Sequence, residues 1–210
     1  NQVHSVIKTI EPHDSIERYE SLGVKVVTGS ATIVSPWQVD IHTADGVQSL
    51  TTKNIVIATG ASAFVPPIPG LKDIDYLTAD NLWDLTEQPK RLVVLGGGPI
   101  GSELSQAFGR LGTQVTQVEM LPQLLAKEDP DAAQYLYDQL IKDGVDVRLN
   151  TTATAIEKTA EGKFIVLEKD GKQEKLPFDE ILIAVGRIAN LKGFGLEKLG
   201  IETNRVVVTN

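Results

Sequence analysis

Leu92-Val93-Val94-Leu95-Gly96-Gly97-Gly98-Pro99-Ile100-Gly101 runs four apolar residues directly into a GxGxxG pattern. An apolar run of this length ended by glycine reads as a strand buried on both faces of a parallel sheet. An amphipathic helix, Pro99–Leu111, follows, with Leu104, Ala107, Phe108 and Leu111 predicted to face the sheet. Strands Arg91–Gly96 and Gln114–Glu119 on either side complete a βαβ unit. In that context Gly96 permits the tight turn, Gly98 lets backbone approach a pyrophosphate, and Gly101 lets helix and strand pack closely. The amino end of the helix that opens at Pro99 and Ile100 offers unpaired N–H groups from the residues around the proline and roughly half a positive charge, which suits a pyrophosphate without any lysine or arginine. Glu119 closes the second strand about 20 residues on, where its carboxylate can accept from both hydroxyls of an adenosine ribose and repel a 2′-phosphate. Met120 and Leu121 follow it in place of arginines, so the expected ligand is NAD(H) rather than NADP(H).

Beyond this unit the chain repeats a series of events. The first copy reads Gly23-Val24-Lys25-Val26, an alternating stretch through Trp37–Ile41, a turn at Asp45-Gly46, and the apolar run Ile55–Gly60. The second reads Gly144–Val147, Phe164–Leu167, a turn at Asp170-Gly171, and Ile181–Gly186. Each copy predicts a β-meander with a tight Asp-Gly hairpin, then a buried strand ending at glycine. A helix is predicted before each, over Asp14–Leu22 and Asp129–Asp143. The second has Asp129 as N-cap, Pro130 at its first position, Ala133, Leu136, Leu140 and Ile141 on one face, and Gly144 as its stop.

The first copy has no room for the βαβ unit, since 22 residues precede Gly23 whereas Gly96 lies 48 residues before Gly144. The chain therefore reads as a piece of a longer protein, starting inside one nucleotide-binding domain and carrying a second as an insert. Val65-Pro66-Pro67-Ile68-Pro69-Gly70 is a rigid extended exit, and Arg205–Thr209 reads as a strand start without a closing partner. The expected organisation is a partial domain over 1–79, a complete one over 80–187, and a return segment over 188–210.

Composition narrows the function. The 210 residues are 41% hydrophobic and 23% charged, an ordinary globular balance, and a net charge of −8 without a basic cluster opposes nucleic acid and anionic lipid. Apolar runs are strand-length, far below the roughly 20 residues of a membrane helix. The amino terminus has no basic or apolar leader pattern. There is no cysteine, hence no disulfide or thiolate chemistry in this stretch, and His4, His13 and His42 lack the spacing of metal ligands. No metal is expected.

These residues resemble the flavin-dependent pyridine nucleotide-disulfide oxidoreductases, the group of dihydrolipoamide dehydrogenase, glutathione reductase and mercuric reductase. The resemblance rests on Ile55–Gly70, Gly96–Glu103, the strand ending at Glu119, and Ala184–Asn190; Ile10–Gly23 and Ser35-Pro36-Trp37 are most similar to mercuric reductase-like members. It implies an α/β fold: a Rossmann-like NAD-binding domain with a three-stranded meander, inserted in an incomplete FAD-binding domain of the same type. It further implies FAD contacts at Ala31, Thr59, Gly60 and Ala61, and NAD contacts at Gly96, Gly98, Pro99, Ile100, Gly101, Glu119, Ala153 and Gly186. Glu103, which read alone favours the helix dipole, matches a glutamate paired with a lysine beside the flavin. Arg187 and Asn190 match the family's GRxPN segment, with Ala189 in place of its proline. The whole enzyme implied passes a hydride from NADH to flavin and on to a disulfide or metal-ion acceptor, as a cytoplasmic homodimer. This chain alone is expected to be inactive, because the redox cysteines would precede it. Two other readings stand beside this one: a cysteine-independent flavoenzyme of the NADH oxidase or ferredoxin reductase type, and a non-catalytic NAD(H)-binding module.

Overall fold

A computed structural model describes residues 2–204 and 206–208, which divide into two compact units, 1–62 with 188–210 and 63–187. The expected boundary at 79/80 is thus corrected to 62/63. Residues 63–79 belong to the second unit because Leu71 and Ile74 are buried in its core and Leu77 bridges Leu182. The chain returns to the first unit after Arg187.

The first unit opens with α1 (Gln2–Ile10), which the sequence reading missed and which carries His4. Helix α2 (Ile16–Ser21) is shorter than predicted, because the Ser15 hydroxyl accepts the Arg18 N–H at 3.3 Å and caps it there. Strands β1 (Ser30–Ser35), β2 (Gln38–Thr43) and β3 (Gly46–Thr51) form the predicted antiparallel meander, with Ile33 and Ile41 buried. Its Asp45-Gly46 turn differs from expectation: Ala44 and Asp45 form the loop, Gly46 begins β3 at φ +130°, and the Thr43 hydroxyl accepts the Asp45 N–H at 3.2 Å.

The strand expected at Ile55–Gly60 is absent. Among the described residues no strand runs beside this stretch to complete a ladder, Gly60 takes φ +71°, and Val56 is 88% exposed. Strand β4 (Ala61–Ala63) follows, and the proline-rich exit, expected to be rigid and extended, is neither helix nor strand and ends in a turn at Pro69-Gly70.

The second unit contains β5 (Arg91–Leu95), α3 (Pro99–Arg110), β6 (Gln114–Val118), α4 (Pro130–Lys142) and β7 (Asp146–Arg148). A meander of β8 (Thr152–Thr159), β9 (Gly162–Lys169) and β10 (Lys172–Phe178) then leads into β11 (Glu180–Ile183). Asp170 and Gly171 both have positive φ, +52° and +73°, so here the Asp-Gly pair does form the primed turn. Strands β5, β6, β7 and β11 make a parallel sheet in the order β11-β5-β6-β7.

Side-chain alternation gives this sheet two cores. Val93, Leu95, Ile181 and Ile183 pack with Ile156, Ile165, Leu167 and Phe178 of the meander. Leu92, Val94, Val115 and Leu182 pack with Leu140 of α4 and with the half-buried Leu104 and Phe108 of α3. The predicted inward faces need correction at three places: Ala107 is exposed, Leu111 is 70% exposed and Ile141 is 45% exposed. On α3 the fully buried positions are Gly101, Ser102 and Ser105, small residues that admit a close helix-to-sheet approach.

The return begins with β12 (Arg187–Ala189), which pairs with β4. Ile33 N–H then donates to Phe194 O at 2.8 Å, and Leu196 is buried. Strands β13 (Thr203–Asn204) and β14 (Val206–Val207) pair with each other, so the expected lone strand over Arg205–Thr209 has a partner for its middle; Arg205 and Thr209 lie outside the described residues. No helix of the described residues is long and apolar enough to cross a membrane.

Candidate functional site

In an open parallel sheet, ligands bind outside the carboxyl ends of the strands where the chain order reverses. Here β5 is followed by β6 on one side while β11 lies on the other, so the reversal falls at the end of β5. A cavity of about 550 Å³ lies there, within the range of roughly 300–1,000 Å³ found for ligand sites. It is bounded by Gly96–Ile100 after β5, Glu119–Leu121 after β6, Thr151–Ala153 after β7 and Ala184–Arg187 after β11. Phe64, Pro66, Ile68 and Ile183 add apolar wall.

The turn after β5 is held from several sides. Gly96 takes φ +113°, and a side chain there would meet Ala184 O at 2.3 Å, so only glycine fits. Its N–H donates to Val118 O at 2.8 Å. Gly97 O accepts from Leu125 N–H at 2.8 Å, with Leu125 itself in the left-handed region at φ +48°. Ser102 N–H donates back to Gly98 O at 3.0 Å, starting α3. Among the described residues no acceptor meets the N–H groups of Gly98, Ile100 or Gly101, the orphan donors that make a helix start an anion site.

Glu119 faces these donors. Its Oε2 accepts the Gly97 N–H at 2.6 Å and its Oε1 accepts the Leu121 N–H at 2.8 Å. A carboxylate has about four lone-pair sites, so two remain for ligand hydroxyls. The Glu119 backbone is fixed as well, its N–H donating to Arg148 O at 2.9 Å and its carbonyl accepting the Thr151 N–H at 3.0 Å. At the opposite wall Arg187 Nη1 lies 3.1 Å from Asp80 Oδ1, and the Ala63 N–H donates to Asp80 Oδ2 at 3.3 Å. These two bonds hold the Asp80 carboxyl below its ordinary range.

Under the turn lies a polar cluster that the sequence reading did not find. Gln117, in β6 and fully buried, donates through Nε2 to Gly96 O at 3.0 Å and to Ser102 Oγ at 3.2 Å. Gln117 Oε1 and Ser105 Oγ are buried without a partner among the described residues, each an orphan of a kind that costs about 1–3 kcal/mol.

The structure therefore brings Gly96, Gly98, Pro99, Ile100, Glu119, Ala153 and Gly186 to one cavity, with Gly101 just behind it. Glu103 stands apart. It lies in the second turn of α3 rather than the first, it is exposed, and among the described residues it forms no salt bridge. In the first unit the Thr59 hydroxyl donates to Asn190 O at 2.7 Å, Asn190 N–H donates to Gly60 O at 3.0 Å, and Ser62 Oγ lies 2.9 Å from Asn190 Oδ1. Ala61 is part of β4 beside this knot, while Ala31 sits on β1 opposite Ile41 and takes no part in it. Beyond the predicted residues the cavity includes Gly97, Leu121, Thr151, Thr152 and Val185. Gly97 was visible as the middle glycine of the motif, whereas the threonines follow a short strand and carry no pattern.

Comparison with known proteins adds the following. A family model described as pyridine nucleotide-disulphide oxidoreductase matches residues 3–210. The mercuric reductase of Staphylococcus aureus is 31% identical over 211 residues, covering 100% of this chain and 38% of that protein. The dihydrolipoyl dehydrogenase of Acholeplasma laidlawii is 37% identical over 187 residues, covering 87% and 53% respectively. Of solved structures, LpdA from Mycobacterium tuberculosis matches with a TM-score of 0.78 at 29% identity, over 96% of this chain and 45% of that one. The HOCl-induced flavoprotein disulfide reductase RclA from Escherichia coli matches with a TM-score of 0.76 at 29% identity, over 92% and 45%. The chain spans about two fifths to half the length of these relatives.

Proposed function

Because the chain belongs to the pyridine nucleotide-disulphide oxidoreductase family, we propose that its second unit is the NADH site of an FAD-dependent oxidoreductase whose final acceptor is a disulfide or a metal ion. The observation that carries this reading is the meeting of the free Gly98, Ile100 and Gly101 amides with the Glu119 carboxylate in one crevice. The residues present fit a dinucleotide: a side chain built at Gly98 meets nothing within 4 Å, which leaves room for a pyrophosphate against the backbone. Gly98, Ile100 and Gly101 would hold that pyrophosphate, Glu119 the adenosine ribose, and Ala153 and Gly186 the nicotinamide half. Bound there, NADH supplies a hydride. The chain's own part is to bind and orient the cofactor between the apolar walls of Phe64, Ile68 and Ile183, which exclude water from it.

A flavin is not fitted by these four residues alone: Thr59 and Gly60 are bonded to Asn190 and Ala61 lies beside them, while Ala31 sits apart on β1 opposite Ile41.

Titration of the purified chain with NADH, followed by nicotinamide fluorescence, tests the proposal. Saturable binding is expected, weakened about tenfold or more by Glu119→Ala, a loss of about 1.4 kcal/mol. NADPH is expected to bind less well than NADH. NADH binding that Glu119→Ala leaves unchanged would remove the site from this crevice.

A further inference from the structure

We propose that Gln117 is a positioning residue for the ligand, acting through Glu119; this rests on the NADH site proposed above. Gln117 is the next-to-last residue of the parallel strand β6, fully buried between Val94 of β5 and Val147 of β7. An amide there is costly unless its hydrogen bonds are needed. Both hydrogens of its Nε2 are in use, on Gly96 O at 3.0 Å and on Ser102 Oγ at 3.2 Å.

The bond to Gly96 O acts at a distance because a trans peptide is planar and its carbonyl and N–H point in opposite directions. Fixing Gly96 O toward β6 sends the next N–H, that of Gly97, the other way, to Glu119 Oε2 at 2.6 Å. Gln117 thus sets the orientation of one peptide group, and that group sets the carboxylate that grips the ribose. Nothing of Gln117 reaches the cavity, so its influence on the ligand passes through Glu119. Its unpartnered Oε1 adds to the argument: half of this side chain is unsatisfied, and the half that is satisfied serves the turn. Removing the amide relieves that orphan but takes the donor from Gly96 O and Ser102 Oγ, and so frees the peptide group that holds the carboxylate.

A double-mutant cycle on the full chain reads this directly. Gln117→Met is expected to weaken NADH binding about tenfold in a chain that still unfolds cooperatively. In a Glu119→Ala background the same change is expected to alter binding less than twofold, because the group it positions is gone. Ser102→Ala, which leaves the Gly96 bond in place, is expected to cost less than Gln117→Met. If the methionine variant does not fold, Gln117→Leu answers the same question. Equal weakening by Gln117→Met in both backgrounds means a merely structural residue and overturns the proposal, as does a weakening by Glu119→Ala that Gln117→Met does not share. Binding indifferent to Glu119→Ala instead overturns the underlying site, and this proposal with it.

Discussion

Gly98 and Gly101 are two glycines of one motif with opposite physical reasons, and substitution separates them. A Cβ at Gly101 would sit 2.2 Å from Gly96 O, a backbone atom with no freedom to retreat, whereas one at Gly98 meets nothing within 4 Å and its φ of −75° is ordinary. Gly101→Ala is therefore expected to destabilise the fold by about 1–3 kcal/mol. Gly98→Ala is expected to leave stability within about 0.5 kcal/mol and yet weaken NADH binding, since its methyl group enters the crevice. Urea unfolding and NADH titration of the two variants check this; a Gly98→Ala chain that binds as wild type does would place the pyrophosphate elsewhere. The tight packing at Gly101 and the open space at Gly98 were legible in the sequence because the motif's spacing encodes a geometry. Gln117 was not, because a single polar residue in a strand does not reveal which way it points.

Between elements, Arg91 and Asp179 fasten the start of β5 to the start of β11. Asp179 Oδ2 accepts the Arg91 backbone N–H at 2.8 Å, Oδ1 lies 2.6 Å from the Arg91 guanidinium, and Asp179 N–H returns a bond to Arg91 O at 3.0 Å. The guanidinium bond, ahead of the burial that opposes it, holds the Asp179 carboxyl below its ordinary value of 3.8. A carboxyl lowered on folding contributes stability above its unfolded value and loses it as pH falls through the folded value. Asp179→Asn is thus expected to cost about 1 kcal/mol at neutral pH, limited by partial exposure, and progressively less below pH 3.8. Urea midpoints measured from pH 7 downward check this, and a cost that grows with acidity would contradict it. The meanders show why elements were easier to read than their turns. Asp-Gly occurs in both, but with Asp170 the pair occupies the loop, while Gly46 is already in the strand, and the dipeptide alone carries no signal for that shift.

For the chain as a whole, the two units differ in what they bury. The second has two cores on either face of a four-stranded sheet, while the first rests on little more than Ile33, Ile41 and Leu196. Hydrogen exchange is expected to be slow at Val93, Val94, Leu182 and Ile183 and fast from Ile55 to Gly60; protection of the latter stretch comparable to the former would contradict the described fold. Sequence periodicity made Ile55–Gly60 look like a buried strand because it has the right composition, but burial depends on neighbours that composition does not supply. Apolar, and with only its Thr59 and Gly60 carbonyls taken up by Asn190, that segment leaves its amides without an acceptor among the described residues, free to pair with a passing strand. Purified chains are therefore expected to clump by sharing this edge, and their solubility to depend on what lies along it.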